Sequence, residues 1–227
     1  MRSYKIQDDL LWVGALDPEL RVFDIIMNTP YGTTYNSYVV TGTEKTAIFE
    51  TVKAQFFDQY IERLKETNIH LEKIDYLIVS HTEPDHAGSV EKMIDLCPNI
   101  TIVASPTAIK YLKKVANKDF KYLEATQDSV ISLGDKTLKF ISAPFLHWPD
   151  TIYTYIEELN TLITCDSFGA HYCTENIFDD SVENYEDYMD ALKYYYDCIF
   201  GPFKSFMLKA LDKNKKLEID YICPGHG

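Results

Sequence analysis

The most informative segment of the sequence is Tyr76-Leu77-Ile78-Val79-Ser80-His81-Thr82-Glu83-Pro84-Asp85-His86. Its apolar beginning predicts a strand over Tyr76–Val79. Four side chains that can bind a metal ion follow within six residues: His81, Glu83, Asp85 and His86. A strand ending in a tight loop, which Pro84 stiffens, can aim several short side chains into one pocket. Because acids and imidazoles alternate here without Lys or Arg, a metal centre is a better interpretation than an ordinary polar loop.

Three further candidate ligands follow predicted strands later in the chain. They are His147 after Leu138–Ile141, Asp166 after Thr161–Thr164, and His226 after Ile219–Ile222. A single histidine after a strand is usually a surface or core residue. Together with the first motif, however, side chains at several strand ends can converge on one rim of a sheet, where pockets commonly form.

The number of candidate ligands indicates how many ions they hold. Four imidazoles and three carboxylates are too many for one tetrahedral zinc. They suit two metals about 3.5–4 Å apart with a bridging carboxylate. The sequence predicts the first metal on His81, Glu83 and His147, the second on Asp85, His86 and His226, and Asp166 between them.

The order of elements predicts an α/β layered fold in one domain, residues 1–227. Apolar runs with β-branched and aromatic residues predict strands over Tyr38–Val40, Thr46–Phe49, Tyr76–Val79, Ile100–Ala104, Leu138–Ile141, Ile152–Ile156, Thr161–Thr164 and Tyr221–Ile222. Helical spacing predicts helices over Phe56–Lys65, Ser89–Leu96, from Ser105-Pro106, and over Ser181–Phe200.

Composition and charge exclude several classes of function. The net charge is −13, from 22 basic and 35 acidic residues, which argues against binding nucleic acid through phosphates. No secretory signal or run of about 18 apolar residues is present, so no membrane association is predicted. Five cysteines without paired spacing predict reduced thiols and a cytoplasmic protein.

His-x-Glu-x-Asp-His at 81–86, followed by His147, Asp166 and His226, resembles the metallo-β-lactamase superfamily. The common hydrolase form has His where this chain has Glu83, and the Glu form resembles the flavodiiron proteins. Further stretches that resemble the flavodiiron proteins lie at residues 32–38, 81–89, 147–150 and 166–171. The resemblance covers essentially the whole chain. It implies a four-layer αββα sandwich with a di-iron centre.

The additional carboxylate has a physical meaning. Three carboxylates place a charge of −3 on the metal pair, against −2 in the hydrolase pattern. Hard anionic oxygen favours a hard, higher-valent ion. The oxidised state of an iron pair is therefore stabilised, whereas redox-inert zinc gains nothing comparable.

The resemblance also implies an activity and its partners. Flavodiiron proteins reduce dioxygen to water or nitric oxide to nitrous oxide, with electrons from FMN in a flavodoxin-like domain and from a carrier such as rubredoxin. In the family the flavin of one subunit faces the metals of another in a head-to-tail dimer. This chain stops at Gly227 and contains no FMN phosphate loop, so the flavodoxin-like domain is expected to be absent from it.

The family pattern suggests further residues around the metals. His171 is expected near the site, Tyr196 is preferred among the tyrosines of the long helix as a donor to substrate, and Asp150 is a candidate to orient a histidine. Asp24 lies where some relatives place a pocket histidine. Three alternatives stay open: a dinuclear zinc hydrolase, which Glu83 disfavours, a nuclease, which the charge disfavours, and a binding module with a vestigial site.

Overall fold

Two β-sheets form the frame of the protein, as seen in a computed structural model that describes residues 3–227. Elements are numbered along the chain. The seven-stranded sheet contains, in spatial order, β1 (Tyr4–Gln7), β2 (Leu10–Trp12), β7 (Tyr38–Thr41), β8 (Thr46–Phe49), β9 (Tyr76–Val79), β10 (Thr101–Ala104) and β11 (Lys121–Glu124). Strands β8 to β11 pair in parallel, whereas the others pair antiparallel.

The second sheet has five strands. These are β12 (Val130–Ser132), β13 (Thr137–Ser142), β14 (Ile152–Ile156), β15 (Thr161–Cys165) and β16 (Tyr221–Pro224). Only the last pair is parallel. Two small antiparallel sheets of two strands each pair β3 (Ala15–Asp17) with β6 (Thr33–Tyr35) and β4 (Val22–Phe23) with β5 (Met27–Asn28).

Six α-helices lie within the described residues. They are α1 (Phe57–Glu66), α2 (Pro84–Ala87), α3 (Val90–Leu96), α4 (Pro106–Val115), α5 (Tyr185–Tyr195) and α6 (Lys204–Asn214). A π-helical turn, Tyr196–Phe200, continues α5. Helix α4 begins as predicted, because the Ser105 hydroxyl accepts a hydrogen bond from the Ala108 nitrogen at 3.1 Å and Pro106 takes the first helical position.

The core consists of two layers of apolar side chains on opposite faces of the sheets. In β9 and β10, Ile78 and Val103 join the cluster that lies between the sheets, with Phe140 and Ile163 of the second sheet. Their neighbours in the strands point the other way because strand side chains alternate. That outer cluster includes, from both sides of the sandwich, Leu77, Ile102, Leu64, Leu112, Tyr153, Tyr155, Met207 and Ala210. The predicted four-layer αββα sandwich is confirmed.

The predicted long helix is shorter than expected. The sequence predicts a start at Ser181, but α5 begins at Tyr185, since the Asn184 side chain accepts a hydrogen bond from the Asp187 nitrogen at 3.3 Å and caps the helix there. Tyr185 at the start of α5 is exposed, whereas Tyr195 at its end is buried. The apolar face of this helix is therefore buried only at its C-terminal end. Between residues 3 and 227, no helix combines the length and apolar character that a membrane crossing requires.

Candidate metal centre

The loop after β9 is positioned by the end of the neighbouring strand. Buried Glu50, which follows β8, accepts a hydrogen bond from the Ser80 nitrogen at 2.8 Å. One residue later, the Thr51 nitrogen donates to the His86 carbonyl at 2.9 Å. Between these two ties the chain forms the short helix α2, with Pro84 at its first position. The predicted tight loop is thus partly helical, and this turn directs Asp85 and His86 inward.

The first group of candidate ligands consists of His81, Glu83 and His147. A Glu83 oxygen, Oε2, lies 3.3 Å from His81 Nε2 and 2.9 Å from His147 Nε2. These atoms, with one from Asp166, all lie within 4.8 Å of one another. Two nitrogens and two carboxylates therefore surround one point at the strand ends.

The second group consists of Asp85, His86 and His226. Asp85 Oδ2 lies 3.1 Å from His226 Nε2 and 3.4 Å from His86 Nε2. All three side chains are buried. This group has the same chemistry as the first, with imidazole nitrogens facing carboxylate oxygen.

Asp166 lies between the two groups and presents one oxygen to each. Its Oδ2 is 3.3 Å from His81 Nε2 and 3.1 Å from His147 Nε2. Its Oδ1 is 2.9 Å from His86 Nε2 and 3.6 Å from His226 Nε2. This is the arrangement that a carboxylate bridging two ions requires.

Buried polar atoms of this cluster lack hydrogen bonds. Within residues 3–227, neither carboxylate oxygen of Asp85 and neither ring nitrogen of His86 has a hydrogen bond of normal geometry. Leaving such groups unsatisfied is costly in a protein interior. A cation between Asp85 Oδ2 and His86 Nε2, which face each other, would satisfy both of these atoms, so the residues present fit a dinuclear metal centre.

The electrostatics of the cluster lead to the same conclusion. Burial alone raises the pKa of Asp166, but the adjacent His81 and His86 outweigh it and hold that pKa well below its usual range. For His147, burial lowers the pKa, whereas hydrogen bonds with Asp166 and Glu83 reverse the effect and raise it to about 9. Nearby positive charge thus stabilises the carboxylates. Protons on the histidines supply this charge in the absence of metal, and metal ions supply it when bound.

Hydrogen bonds to the far ring nitrogens orient two of the histidines. His226 Nδ1 lies 2.5 Å from the Thr34 carbonyl, in β6. His81 Nδ1 lies 3.0 Å from the Cys165 sulfur at the end of β15. The cysteine spacing predicted only a reduced thiol at Cys165 and gave no indication of this contact. The one available signal is its position directly before Asp166.

His171 lies beside the cluster, in the region where it was expected. Its ring centre is 5.0 Å from that of His226, and its Nδ1 lies 2.8 Å from the Thr33 hydroxyl. Burial and then the neighbouring His226 lower the pKa of His171 to about 3, so its ring is neutral. His171 therefore contributes a neutral imidazole to the wall of the site.

Among the tyrosines of the long helix, the one that packs beside the cluster is Tyr195, one residue before the predicted Tyr196. The buried Tyr195 ring packs edge-on against His171, with ring centres 4.8 Å apart, and lies 6.0 Å from His226. Tyr196 is half-buried and packs against Phe200. Burial, followed by the negative charge of Asp166, raises the pKa of Tyr195 well above its usual value, so its hydroxyl keeps its proton.

Asp150 and Asp24 contact the motif in ways the sequence did not specify. The Asp150 carboxylate accepts hydrogen bonds from Thr82 rather than from a histidine. Asp24 adopts a left-handed backbone conformation with φ of 46° in the turn between β4 and β5. Partial burial, followed by the charge of Glu83, raises the pKa of Asp24. The carboxyl of Asp24 therefore lies close to Glu83, in the first group.

Comparison with known proteins reveals the same core elsewhere. Residues 33–227 match the family model described as ODP family beta lactamase. The chain is 42% identical to the flavo-diiron protein FprA2 of Clostridium acetobutylicum, covering all of this chain and 57% of that protein. It is 39% identical to a nitric oxide reductase of Moorella thermoacetica, covering 98% of this chain and 56% of the relative.

A solved structure shares the fold closely. The rubredoxin oxygen:oxidoreductase of Desulfovibrio gigas superposes with a TM-score of 0.94 at 32% identity, covering 99% of this chain and 56% of that one. The chain thus spans about half the length of the relatives it matches. Because the family model covers most of the chain, this protein belongs to the ODP family of β-lactamase-fold proteins, and its relatives are flavodiiron proteins.

Proposed function

We propose that this chain holds two iron ions and forms the core of an enzyme that reduces dioxygen to water or nitric oxide to nitrous oxide. One observation carries the proposal: the carboxylates of Glu83, Asp85 and Asp166 lie within one buried cluster with four imidazoles. Three anionic ligands favour the higher-valent state of a redox metal. The names of the relatives from Moorella thermoacetica and Desulfovibrio gigas support both substrates.

In this proposal the seven side chains act as the ligands of the two ions. His81, Glu83 and His147 hold the first, Asp85, His86 and His226 hold the second, and Asp166 joins them. When bound, a ferrous pair supplies two electrons and open coordination positions for a small neutral molecule. The protein's part is to fix the ligands, exclude water and deliver protons.

Residues outside the ligand set would shape the substrate pocket. Phe23 contacts both His171 and His226, with ring centres 4.4 and 5.8 Å apart, and so covers the second group with an apolar ring. His171 would line the pocket as a neutral imidazole. A tyrosine hydroxyl would donate a hydrogen bond or proton to the substrate, and the geometry supports Tyr195 for this role in place of Tyr196.

The electrons would come from outside the described residues. We infer a flavodoxin-like domain or subunit that carries FMN and is reduced by a rubredoxin-type carrier, within a homo-oligomer in the cytoplasm. An apolar cavity of about 620 Å³ lies next to the first group and supports this place as the docking position of the flavodoxin-like domain or subunit. His147 itself lines that cavity, together with Tyr111, Val115, Trp148, Pro149 and Phe203.

The dinuclear zinc hydrolase is the less favoured alternative. A zinc hydrolase would use a metal-bound hydroxide. Its usual donor set has one carboxylate fewer than the cluster in this chain. The relatives named above are reductases rather than hydrolases.

Metal analysis of the purified chain tests the proposal. Protein produced with iron available should contain about two irons per chain, as a two-metal site requires. The Glu83→His variant should shift the preference towards zinc. Two tightly held zinc ions in the wild type, with no absorbance change on exposure to oxygen, would refute the redox proposal.

A further inference from the structure

We infer that Cys165 is a positioning residue that fixes the proton of His81 on Nδ1 and so turns Nε2 towards the first metal. The inference rests on the proposed dinuclear centre, in which His81 is a ligand. Its direct observation is the 3.0 Å distance between Cys165 Sγ and His81 Nδ1, with both side chains buried. In residues 3–227, Cys165 is the hydrogen-bonding partner of that nitrogen.

The two nitrogens of His81 face different surroundings. Nε2 lies 3.3 Å from both Glu83 Oε2 and Asp166 Oδ2, on the side where the donors converge. Nδ1 lies on the other edge of the ring, against the sulfur. An imidazole that binds a metal through Nε2 must carry its proton on Nδ1, and a partner there selects that tautomer. Here the N–H donates to a sulfur atom, which is a weak acceptor.

The same geometry argues against Cys165 as a direct ligand. Its sulfur, one ring nitrogen each of His81 and His86, and one carboxylate oxygen of Asp166 all lie within 4.8 Å of one another. The sulfur contacts His81 at Nδ1, however, on the edge of the ring opposite Nε2, and it lies 4.0 Å from Asp166 Oδ1. The sulfur therefore supports the ligand and does not converge on the point that Nε2 faces.

The backbone holds Cys165 in an unusual conformation. Its φ is +51°, in the left-handed region that glycine and asparagine adopt more readily than cysteine. Its carbonyl accepts a hydrogen bond from the Gly225 nitrogen at 2.5 Å, next to the strand that leads to His226. Because a cysteine is strained at this φ, its presence here points to a role for the thiol.

The test compares three variants of the chain: Cys165→Ala, Cys165→Ser and the control Cys97→Ala. Cys97 is as buried as Cys165, each being 1% exposed, but belongs to the core cluster away from the site. Metal-free protein is titrated with Zn²⁺ against a competing chelator. Cys165→Ala should bind one of the two ions, that of the first group, about 10–100-fold less tightly, as expected for the loss of a residue that orients a ligand. Cys165→Ser, which keeps an acceptor, should recover part of the affinity, and Cys97→Ala should match the wild type.

Two spectroscopic measurements complement the titration, and the first does not depend on any variant folding. In the zinc-loaded wild type, nitrogen NMR should place the His81 proton on Nδ1, and a proton on Nε2 would overturn the inference. With Co²⁺, a thiolate-to-metal charge-transfer band that Cys165→Ala removes would show direct ligation and would also overturn it. Wild type that binds fewer than two ions refutes the proposed centre, whereas two ions held equally well by wild type and Cys165→Ala refute only the role of Cys165.

Discussion

The carboxylate of Asp150 accepts two hydrogen bonds from Thr82, one from the backbone nitrogen at 2.9 Å and one from the hydroxyl at 2.7 Å. Asp150 follows His147 by three residues, and Thr82 lies between His81 and Glu83. The two loops that carry the first group of candidate ligands are therefore tied directly to each other. These side chains come from distant parts of the chain, so this tie helps to hold the group together.

Replacing Asp150 with alanine should destabilise the protein. Both Thr82 donors are buried, and leaving them unsatisfied should lower the free energy of unfolding by about 2–3 kcal/mol. Urea unfolding of the metal-free chain measures the effect. The exposed Asp119→Ala is the control and should unfold at the wild-type urea concentration. Equal midpoints for wild type and Asp150→Ala would refute the structural role of this tie.

Asp166→Ala should be more damaging to metal binding than Glu83→Ala. Asp166 presents an oxygen to each group, whereas Glu83 contacts histidines of the first group only. Asp166→Ala should lose both ions, and Glu83→Ala should keep part of the second. Iron content per chain after gel filtration measures this difference. Equal iron retention in wild type and both variants would contradict the assignment of the bridge.

Gly225→Ala should disturb the second group through a steric clash. A Cβ atom at this position would lie 2.6 Å from His86 Cε1 and 3.1 Å from Asp166 Oδ1. The His86 ring must move, so the affinity for the second ion should fall about 10-fold or more, as for other displaced ligands. Gly201→Ala is a matched control, because the nearest atom to its new Cβ would be the Tyr196 carbonyl at 3.8 Å. Zinc titration of the two variants compares them, and identical second-site affinities would rule out this packing constraint.

Tyr195→Phe should slow turnover more than Tyr196→Phe. Only the first of these rings packs against His171, and its protonated hydroxyl lies in the buried region beside the carboxylates. If it donates a proton, its loss should lower kcat by roughly 100-fold. Both variants should keep two irons, so steady-state nitric oxide or oxygen reduction with a flavin-bearing partner measures the effect. A larger loss in Tyr196→Phe would restore the assignment that the sequence favoured.

The isolated chain should react with oxygen once and then stop. Two ferrous ions supply two electrons, whereas reduction of dioxygen to water needs four. Prereduced protein should consume about one dioxygen per two irons or less, and an FMN-bearing flavodoxin-like partner with a reductant should restore repeated turnover. The control is His147→Ala, which lacks a ligand of the first group. Sustained uptake by the chain with a reductase and carrier but no flavin protein, abolished in His147→Ala, would reveal another electron route.

Local sequence patterns predicted the buried strands well. Strands β8, β9 and β14 have the predicted bounds, Thr46–Phe49, Tyr76–Val79 and Ile152–Ile156. Each is a continuous run of apolar or β-branched residues that lies between two packed layers. By contrast, the edge strand Lys121–Glu124 was not predicted, because all four of its residues are exposed and no alternation marks it. The helix Lys204–Asn214 was also missed, since only a few of its side chains are buried.

The seven candidate donors and their excess of carboxylate could be predicted from local sequence patterns. Their types and their positions after strands are local properties, and each strand ends where its apolar run ends. The contacts around these donors became visible in the fold alone, including Cys165 on His81, Asp150 on Thr82, and Tyr195 rather than Tyr196 on His171. These contacts join side chains 84, 68 and 24 residues apart. They depend on how strands and helices pack, and a difference of one residue along a helix turns a side chain by about 100°.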